Sequence, residues 1–281
     1  MEVRAKKSLG QHFLTDLSIA HGIVDALQPD TGTEEGKDNG GSGEKMPTLE
    51  IGPGMGVISQ YLLERDDLDF KMIEIDRESV DYLLSHFPKA YGRVLEGDFL
   101  KLKLEALYPS GRFCVIGNFP YNISSQIFFK ILDYKDRIPQ VVCMIQKEVA
   151  QRIAEKPGSK TYGILSVLLQ AWYDIEYLFS VGSGAFAPPP KVQSAVIRLR
   201  RNSRISLGCD ENLFKTIVKT SFGQRRKTLR NSLKPLVLET LSKQGADASD
   251  FNEFTSGKVW DLRPERLGVE DFIALTKTLQ G

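Results

Sequence analysis

Thr48-Leu49-Glu50-Ile51-Gly52-Pro53-Gly54-Met55-Gly56 reads as a short strand that runs into three glycines, and Val57, Ile58, Tyr61 and Leu62 follow at helical spacing. Strand, glycine loop and helix in that order form a nucleotide-binding signature, because glycines let a ligand approach the backbone and the loop amides face it. The spacing is GxGxG rather than the dinucleotide GxGxxG, and a bare glycine loop is also an ordinary structural turn. Context decides between the two readings. About twenty residues on, Phe70-Lys71-Met72-Ile73-Glu74-Ile75-Asp76 is a second strand that ends in acid. There a carboxylate can accept bonds from ribose hydroxyls. Glu74 is the candidate acceptor, with Asp76 beside it as a helix cap.

Working outward, a third strand, Arg93-Val94-Leu95-Glu96, leads into Gly97-Asp98, and a fourth, Phe113-Cys114-Val115-Ile116, leads into Gly117-Asn118-Phe119-Pro120-Tyr121-Asn122. Asp98 and Asn118 therefore end strands on the same rim as Glu74. For Asp98 the plain alternative is a turn or capping aspartate. The loop from Asn118 offers an amide oxygen, an aromatic ring and carbonyls that a proline keeps out of a regular ladder. Such a set suits a flat amine, and the plain alternative is again a turn. Past it the pattern continues with a helix over 124–132, a strand over 140–145, helices over 147–154 and 162–171, and strands over 175–179 and 195–199. Alternation of this kind implies an α/β fold with a mostly parallel sheet covered on both faces.

At the other end of the first domain, Lys6-Lys7-Ser8-Leu9-Gly10-Gln11-His12-Phe13-Leu14 is a polar lead-in to a helix capped by Thr15 or Asp16 and carrying Ile19, Ile23, Val24 and Leu27. With no second ligand nearby, His12 reads as a hydrogen-bonding residue and not a metal ligand. Residues 30–46 have one large apolar side chain and no aromatic, and read as a mobile surface insertion. Phe186-Ala187-Pro188-Pro189-Pro190-Lys191-Val192 is a proline-stiffened loop in which Phe186 is either a stacking ring or a core plug. After about residue 202 strands give way to helices. Leu213, Phe214, Ile217 and Val218 make an apolar stripe, Ser221-Phe222-Gly223 interrupts it, and Gln224-Arg225-Arg226-Lys227-Thr228-Leu229-Arg230 opens another helix. Val269, Phe272, Ile273 and Leu275 give the buried face of the last one. The expected division is 1–202 and 203–281.

Charge is distributed unevenly. Residues 191–234 hold twelve cations against Asp210 and Glu211, so a chain whose formal net charge is +1 carries +10 there and −9 elsewhere. A basic block on a neutral protein points to a polyanion, because cationic surfaces release counterions from phosphate backbones. The candidate contacts are Lys191, Lys219, Arg225, Arg226, Lys227 and Arg230, and the plain alternative is a solvated basic face. The 41% hydrophobic content of the 281 residues is that of a globular chain rather than a disordered one. No apolar run reaches the roughly 18 residues of a membrane span, and Met1–Lys7 lacks the apolar core of a secretion signal. The expectation is a cytoplasmic protein. Cys114, Cys143 and Cys209 are too few and too scattered for a disulfide framework or a metal site.

Taken together, Gly10-Gln11-His12-Phe13-Leu14, Glu50-Ile51-Gly52-Pro53-Gly54, Ile73-Glu74-Ile75-Asp76, Gly97-Asp98, Gly117-Asn118-Phe119-Pro120-Tyr121-Asn122-Ile123-Ser124, Gln146-Lys147-Glu148-Val149-Ala150, Phe186-Ala187-Pro188-Pro189-Pro190-Lys191-Val192 and Phe222-Gly223-Gln224-Arg225-Arg226-Lys227-Thr228-Leu229-Arg230 resemble, in order, the motifs of the KsgA/RsmA family of small-subunit ribosomal RNA adenine dimethyltransferases. The resemblance implies a class I (Rossmann-like) methyltransferase fold with a seven-stranded, mostly parallel sheet and a small helical C-terminal domain that binds RNA. It implies S-adenosylmethionine as cofactor, without a metal, in a pocket lined by His12, Leu14, Gly52, Gly54, Glu74, Asp98 and Asn118. Glu74 would hold the ribose hydroxyls and Asp98 the amino group of the cofactor's adenine. The family often has Asn where this chain has His12, and Phe119 replaces a more usual Leu.

As catalytic residues the resemblance implies Asn118, Pro120, Tyr121 and Phe186. The Asn118 oxygen and the Pro120 carbonyl would accept the hydrogens of the target amine, with Tyr121 and Phe186 on the two faces of the base. The implied substrate is two adjacent adenosines near the 3′ end of 16S rRNA in an immature 30S particle, acted on by a protein that is monomeric off the ribosome. Three other functions fit parts of the chain. An Erm-type methylase of 23S rRNA shares the Asn118–Tyr121 pattern, a ribosome-assembly or transcription factor would use the basic block with catalysis secondary, and a dinucleotide dehydrogenase would use the glycine loop and Glu74 but leave Asn118–Tyr121 without a role.

Overall fold

The computed structural model describes residues 3, 5–28, 45–109 and 111–280. The expected insertion over 30–46 lies outside these residues except for Lys45 and Met46, and Met46 opens a strand. By its contacts the described chain divides into two compact units, one of Met1–Ala150 with Asp174–Arg201 and one of Gln151–Tyr173 with Asn202–Gly281. The second unit thus contains residues 151–173, which the sequence pattern groups with the sheet.

In the first unit the strands are β1 (Phe13–Leu14), β2 (Met46–Ile51), β3 (Leu68–Glu74), β4 (Val94–Glu96), β5 (Cys114–Asn118), β6 (Gln140–Gln146), β7 (Tyr173–Val181), β8 (Phe186–Ala187) and β9 (Ser194–Arg201). Seven of them form one sheet in the order β4-β3-β2-β5-β6-β9-β7. Neighbours from β4 to β6 are parallel, and β9 runs antiparallel to β6. The expected mostly parallel sheet is therefore present. Along β3, β5 and β6 the residues two apart, Phe70 and Met72, Cys114 and Ile116, Val142 and Met144, join one core cluster, as the pleat requires. Helix α1 (Leu17–Asp25) adds Ala20, Ile23 and Val24 to it. Asp16, one of the two expected caps, is the residue that accepts the amides of Ser18 and Ile19. The intervening residues Ile73, Val115, Val141, Cys143 and Ile145 are buried on the opposite face, which accounts for the nearly unbroken apolar runs of a central parallel strand.

Three further helices complete this unit, α2 (Ser59–Leu62), α3 (Arg77–His86) and α4 (Ser124–Asp133). Asp76 caps α3, as its position after β3 suggests. A two-stranded antiparallel pair, β1 with β8, places Leu14 opposite Phe186.

Helix α5 (Lys147–Ala154) begins in the first unit and ends in the second, which holds α6 (Ile164–Gln170), α7 (Glu211–Gly223), α8 (Leu229–Ser232), α9 (Lys234–Lys243), α10 (Phe251–Phe254) and α11 (Val269–Gln280). Its core includes Phe214, Ile217 and Val218 of α7 with Phe272, Ile273 and Leu275 of α11. Two expectations are corrected here. Helix α7 continues through Ser221-Phe222-Gly223, whose Ser221 hydroxyl returns a hydrogen bond to the Ile217 carbonyl at 2.7 Å. The cluster Arg225-Arg226-Lys227 lies on the turn before α8 and not on a helix.

Candidate active site

Because β4, β3, β2 and β5 are parallel neighbours, the loops leaving their C-terminal ends meet on one rim. They line a single cavity with Gly52–Met55 after β2, Glu74 and Ile75 at the end of β3, Gly97–Phe99 after β4 and Asn118–Tyr121 after β5, while Leu9–Leu14 supplies another wall. The strands can pack this closely because Gly117 has no side chain. A Cβ there would stand 2.5 Å from the Ile51 carbonyl oxygen.

Gly54 has φ +55°, a left-handed conformation that other residues adopt at a cost, and in it the Gly54 amide donates to Glu74 Oε2 at 3.0 Å. Glu74 Oε1 accepts the Asp76 amide at 2.9 Å. Burial pushes the Glu74 carboxyl above its ordinary value, and these backbone donors oppose that shift. A carboxylate has about four acceptor positions. Glu74 is thus fixed by the backbone yet retains acceptor capacity, as a ribose hydroxyl would use.

Asp98 Oδ1 accepts the Leu100 amide at 2.9 Å, so the residue is the turn aspartate of the plain alternative and a cavity residue at once. Its turn is held from α4, where the Lys130 ammonium donates to the Phe99 carbonyl at 2.6 Å and to that of Leu102. Burial lowers the Lys130 pKa.

At Asn118 the Nδ2 group donates to the His12 carbonyl at 3.1 Å, which turns Oδ1 the other way, and Oδ1 is buried without a hydrogen-bond partner. An orphaned acceptor of this kind costs about 1–3 kcal/mol. The Pro120 carbonyl accepts the Ile123 amide at 3.2 Å, which leaves it one further lone pair. Tyr121 shares a short hydrogen bond between its hydroxyl and the Ser194 hydroxyl. Burial raises its pKa, so it remains a phenol at neutral pH.

The chemistry of this donor and acceptor set fits S-adenosylmethionine. A glycine loop leaves room for close approach, the Glu74 carboxylate can accept hydroxyls, the Asp98 carboxylate can accept an amino group, and Ile75, 51% exposed though apolar, provides an apolar wall beside Glu74. Among the described residues no group of His, Cys, Asp and Glu is arranged to hold a metal ion.

Comparison with known proteins gives the family. The family described as ribosomal RNA adenine dimethylase matches residues 2–250. The chain belongs to that family. It is 57% identical over 274 residues to the ribosomal RNA small subunit methyltransferase A of Parabacteroides distasonis, covering 98% of this chain and 93% of the relative. It is 53% identical over 281 residues to the protein of the same name from Porphyromonas gingivalis, covering 100% and 99%. Among solved structures, a dimethyladenosine transferase from Plasmodium falciparum aligns with TM-score 0.73 at 22% identity over 94% of this chain and 96% of its own. The 23S rRNA methyltransferase ErmE aligns with TM-score 0.61 at 24% identity over 96% and 100%. These two likenesses support the class I methyltransferase fold. As a ribosomal RNA adenine dimethylase, the chain belongs to a class of enzymes that use S-adenosylmethionine.

Of the residues singled out in the dimethylase sequence, His12, Leu14, Gly52, Gly54, Glu74, Asp98, Asn118, Pro120 and Tyr121 all line the one cavity. Phe186 does not. It is 4% exposed, lies opposite Leu14 and belongs to the core cluster, so its place is that of a core plug. Lys191 is exposed in the first unit, whereas the other candidate RNA contacts belong to the second. There Lys219, Arg226 and Lys227 are exposed, but Arg225 donates to the Ser159 carbonyl at 3.3 Å and Arg230 pairs with Asp261 at 2.9 Å. Among the cavity residues without an assignment from the sequence are Ile75 and Glu50. Ile75 reads there only as part of a strand, and an apolar residue between two acids gives no other local signal. Glu50 reads the same way, yet its carboxyl is 1% exposed, accepts the Ser59 hydroxyl at 2.6 Å and is pushed by burial up to about 8.

Proposed function

We propose that this chain transfers methyl groups from S-adenosylmethionine to the exocyclic N6 of two adjacent adenosines near the 3′ end of small-subunit rRNA, giving N6,N6-dimethyladenosine. The substrate is the RNA within an immature 30S particle in the cytoplasm, no metal takes part, and the protein is monomeric off the ribosome. The single observation that carries the reading is the buried, unpartnered Asn118 oxygen beside the Pro120 carbonyl and Tyr121. Names shared by relatives above 50% identity favour the small subunit over the Erm-type alternative.

S-adenosylmethionine supplies an electrophilic methyl group on a sulfonium. Adenine N6 is a weak nucleophile because its lone pair is delocalised into the ring. Asn118 Oδ1 and the Pro120 carbonyl would accept the two N6 hydrogens, which fixes the nitrogen and turns its lone pair toward the methyl group. The N6 lone pair would form the new N–C bond as the S–C bonding pair stays with the departing sulfur. The extra N6 proton then leaves to water, since neither an amide nor a carbonyl oxygen is basic enough to retain it. Tyr121 would stack on the base, an interaction worth roughly 1–3 kcal/mol that helps hold a nucleotide out of its helix. Catalysis on this account is chiefly positioning. Glu74 would hold the ribose of the cofactor and Asp98 its adenine, while Arg226 and Lys227 would supply the freest phosphate contacts.

Tritiated S-adenosylmethionine incubated with the pure protein and immature 30S particles is expected to label the RNA. Labelling of 50S particles or free DNA with 30S particles left blank would overturn the assignment.

A further inference from the structure

We propose that His12 is a positioning residue for methyl transfer, setting both the Asn118 amide and the Tyr121 ring, and that it does more than line the cofactor cavity. The role rests on the dimethylase reading of the Asn118 loop. Its backbone carbonyl accepts Asn118 Nδ2 at 3.1 Å. That one bond decides which end of the amide faces the cavity, because the reversed amide would set oxygen against oxygen.

The His12 ring lies against Tyr121, with centroids 5.4 Å apart and planes 28° from parallel. His12 Nδ1 stands 3.0 Å from the Pro188 carbonyl oxygen. A carbonyl can only accept, so Nδ1 carries the hydrogen and donates it. Tyr121 is thereby held at one face by an imidazole tethered to the proline loop, and at its hydroxyl by Ser194, which is fully buried at the start of β9. A target base is left the opposite face of Tyr121. One residue thus ties together three segments of the first unit, 12–14, 118–121 and 188–194, and both reacting-site groups of the Asn118 loop depend on where it sits. A displacement of the order of 1 Å in such groups lowers a transfer rate by about 100-fold.

The test compares wild type with His12→Ala, His12→Phe and His12→Asn in single-turnover methylation of immature 30S particles, and in calorimetric titration with S-adenosylhomocysteine. His12→Ala is expected to slow transfer by about 10–100-fold, well beyond the accompanying loss of affinity for S-adenosylhomocysteine, since His12 also lines the cavity. His12→Phe restores the ring behind Tyr121 and is expected to recover part of the rate, and His12→Asn, which keeps a donor but no ring, to recover less. Melting temperatures near that of wild type show that the variants fold, and His12→Phe carries the test if His12→Ala does not. Unchanged transfer in His12→Ala would overturn the role, as would a loss of S-adenosylhomocysteine affinity as large as the loss of rate, which marks a plain cofactor contact. A wild type that labels no particle would instead count against the dimethylase reading, and the role of His12 would fall with it.

Discussion

Asn118 is the residue on which the site turns. Its amide spends one end on the His12 carbonyl and leaves the other buried and unmatched. Asn118→Ala removes that acceptor, so single-turnover transfer is expected to fall by about 10²–10³-fold. Affinity for S-adenosylhomocysteine, measured by calorimetry, should fall far less, although Asn118 also lines the cofactor cavity. Equal losses in rate and affinity would show that Asn118 serves the cofactor instead. Glu50 makes a second prediction. Its carboxyl is pushed up to about 8 by burial, from an ordinary value near 4.5. The unfolded chain therefore ionises first as pH rises, and the folded state loses stability through the window from about 4.5 to about 8, by at most about 1.4 kcal/mol per pH unit. Below that window the stability from the neutral carboxyl is fully present, and above it the loss levels off. Glu50→Gln is expected to make the decline of melting temperature between pH 5 and pH 8 shallower. Glu74 is shifted in the same direction, so some slope remains. An identical slope in the variant would mean that Glu50 is ionised in the fold.

The element that the sequence leaves least defined is the segment before α1. Lys6 donates to Asp76 Oδ1 at 2.5 Å and Gln11 to Asp76 Oδ2 at 3.2 Å, which fastens this segment to the cap of α3. Burial pushes the Asp76 carboxyl up, but Lys6 and Gln11 hold it below its ordinary value. The Asp76 side chain is only 2% exposed, and a buried carboxylate stripped of its partners destabilises a fold. Lys6→Ala with Gln11→Ala is therefore expected to lower the melting temperature and to raise the KM for S-adenosylmethionine about 5–10-fold, because Leu9–His12 forms a cavity wall. A KM equal to wild type would show that the wall needs no such fastening. What is legible in the chain alone follows the same physics. Long apolar strands, a glycine loop and caps at Asp16 and Asp76 are local signals, and they locate the sheet and its active rim. The β1–β8 pair has two residues a side, too few to show a period, and its register is set by partners more than 170 positions apart. Phe186 could plug or stack on sequence grounds alone, since a large apolar ring serves either purpose, and only its position opposite Leu14 decides. Residues 151–173 carry ordinary helix and strand patterns, and no local feature says with which core they pack.

Of the candidate RNA contacts, all but Lys191 belong to the unit that does not hold the cavity. The cavity lies in the unit that holds the sheet, and the exposed cations Lys219, Arg226 and Lys227 belong to the helical unit. Arg226→Ala with Lys227→Ala is expected to weaken particle binding while leaving cofactor affinity intact. The slope of log affinity against log salt should flatten by roughly 0.7–0.9 for each phosphate that is no longer neutralised. Arg230→Ala should act differently, since its pairing with Asp261 makes it a structural residue, and lower the melting temperature more than it changes the salt slope. An unchanged slope for the Arg226 and Lys227 pair would remove the RNA-binding role from this turn. The central claim, that the acceptors around Asn118 make a site for adenine N6, is tested most directly by mass analysis of nucleosides from 30S RNA after incubation with the protein and S-adenosylmethionine. The account predicts N6,N6-dimethyladenosine in two adjacent nucleotides near the 3′ end. Methyl groups on another base, or on a ring nitrogen of adenine, would contradict it.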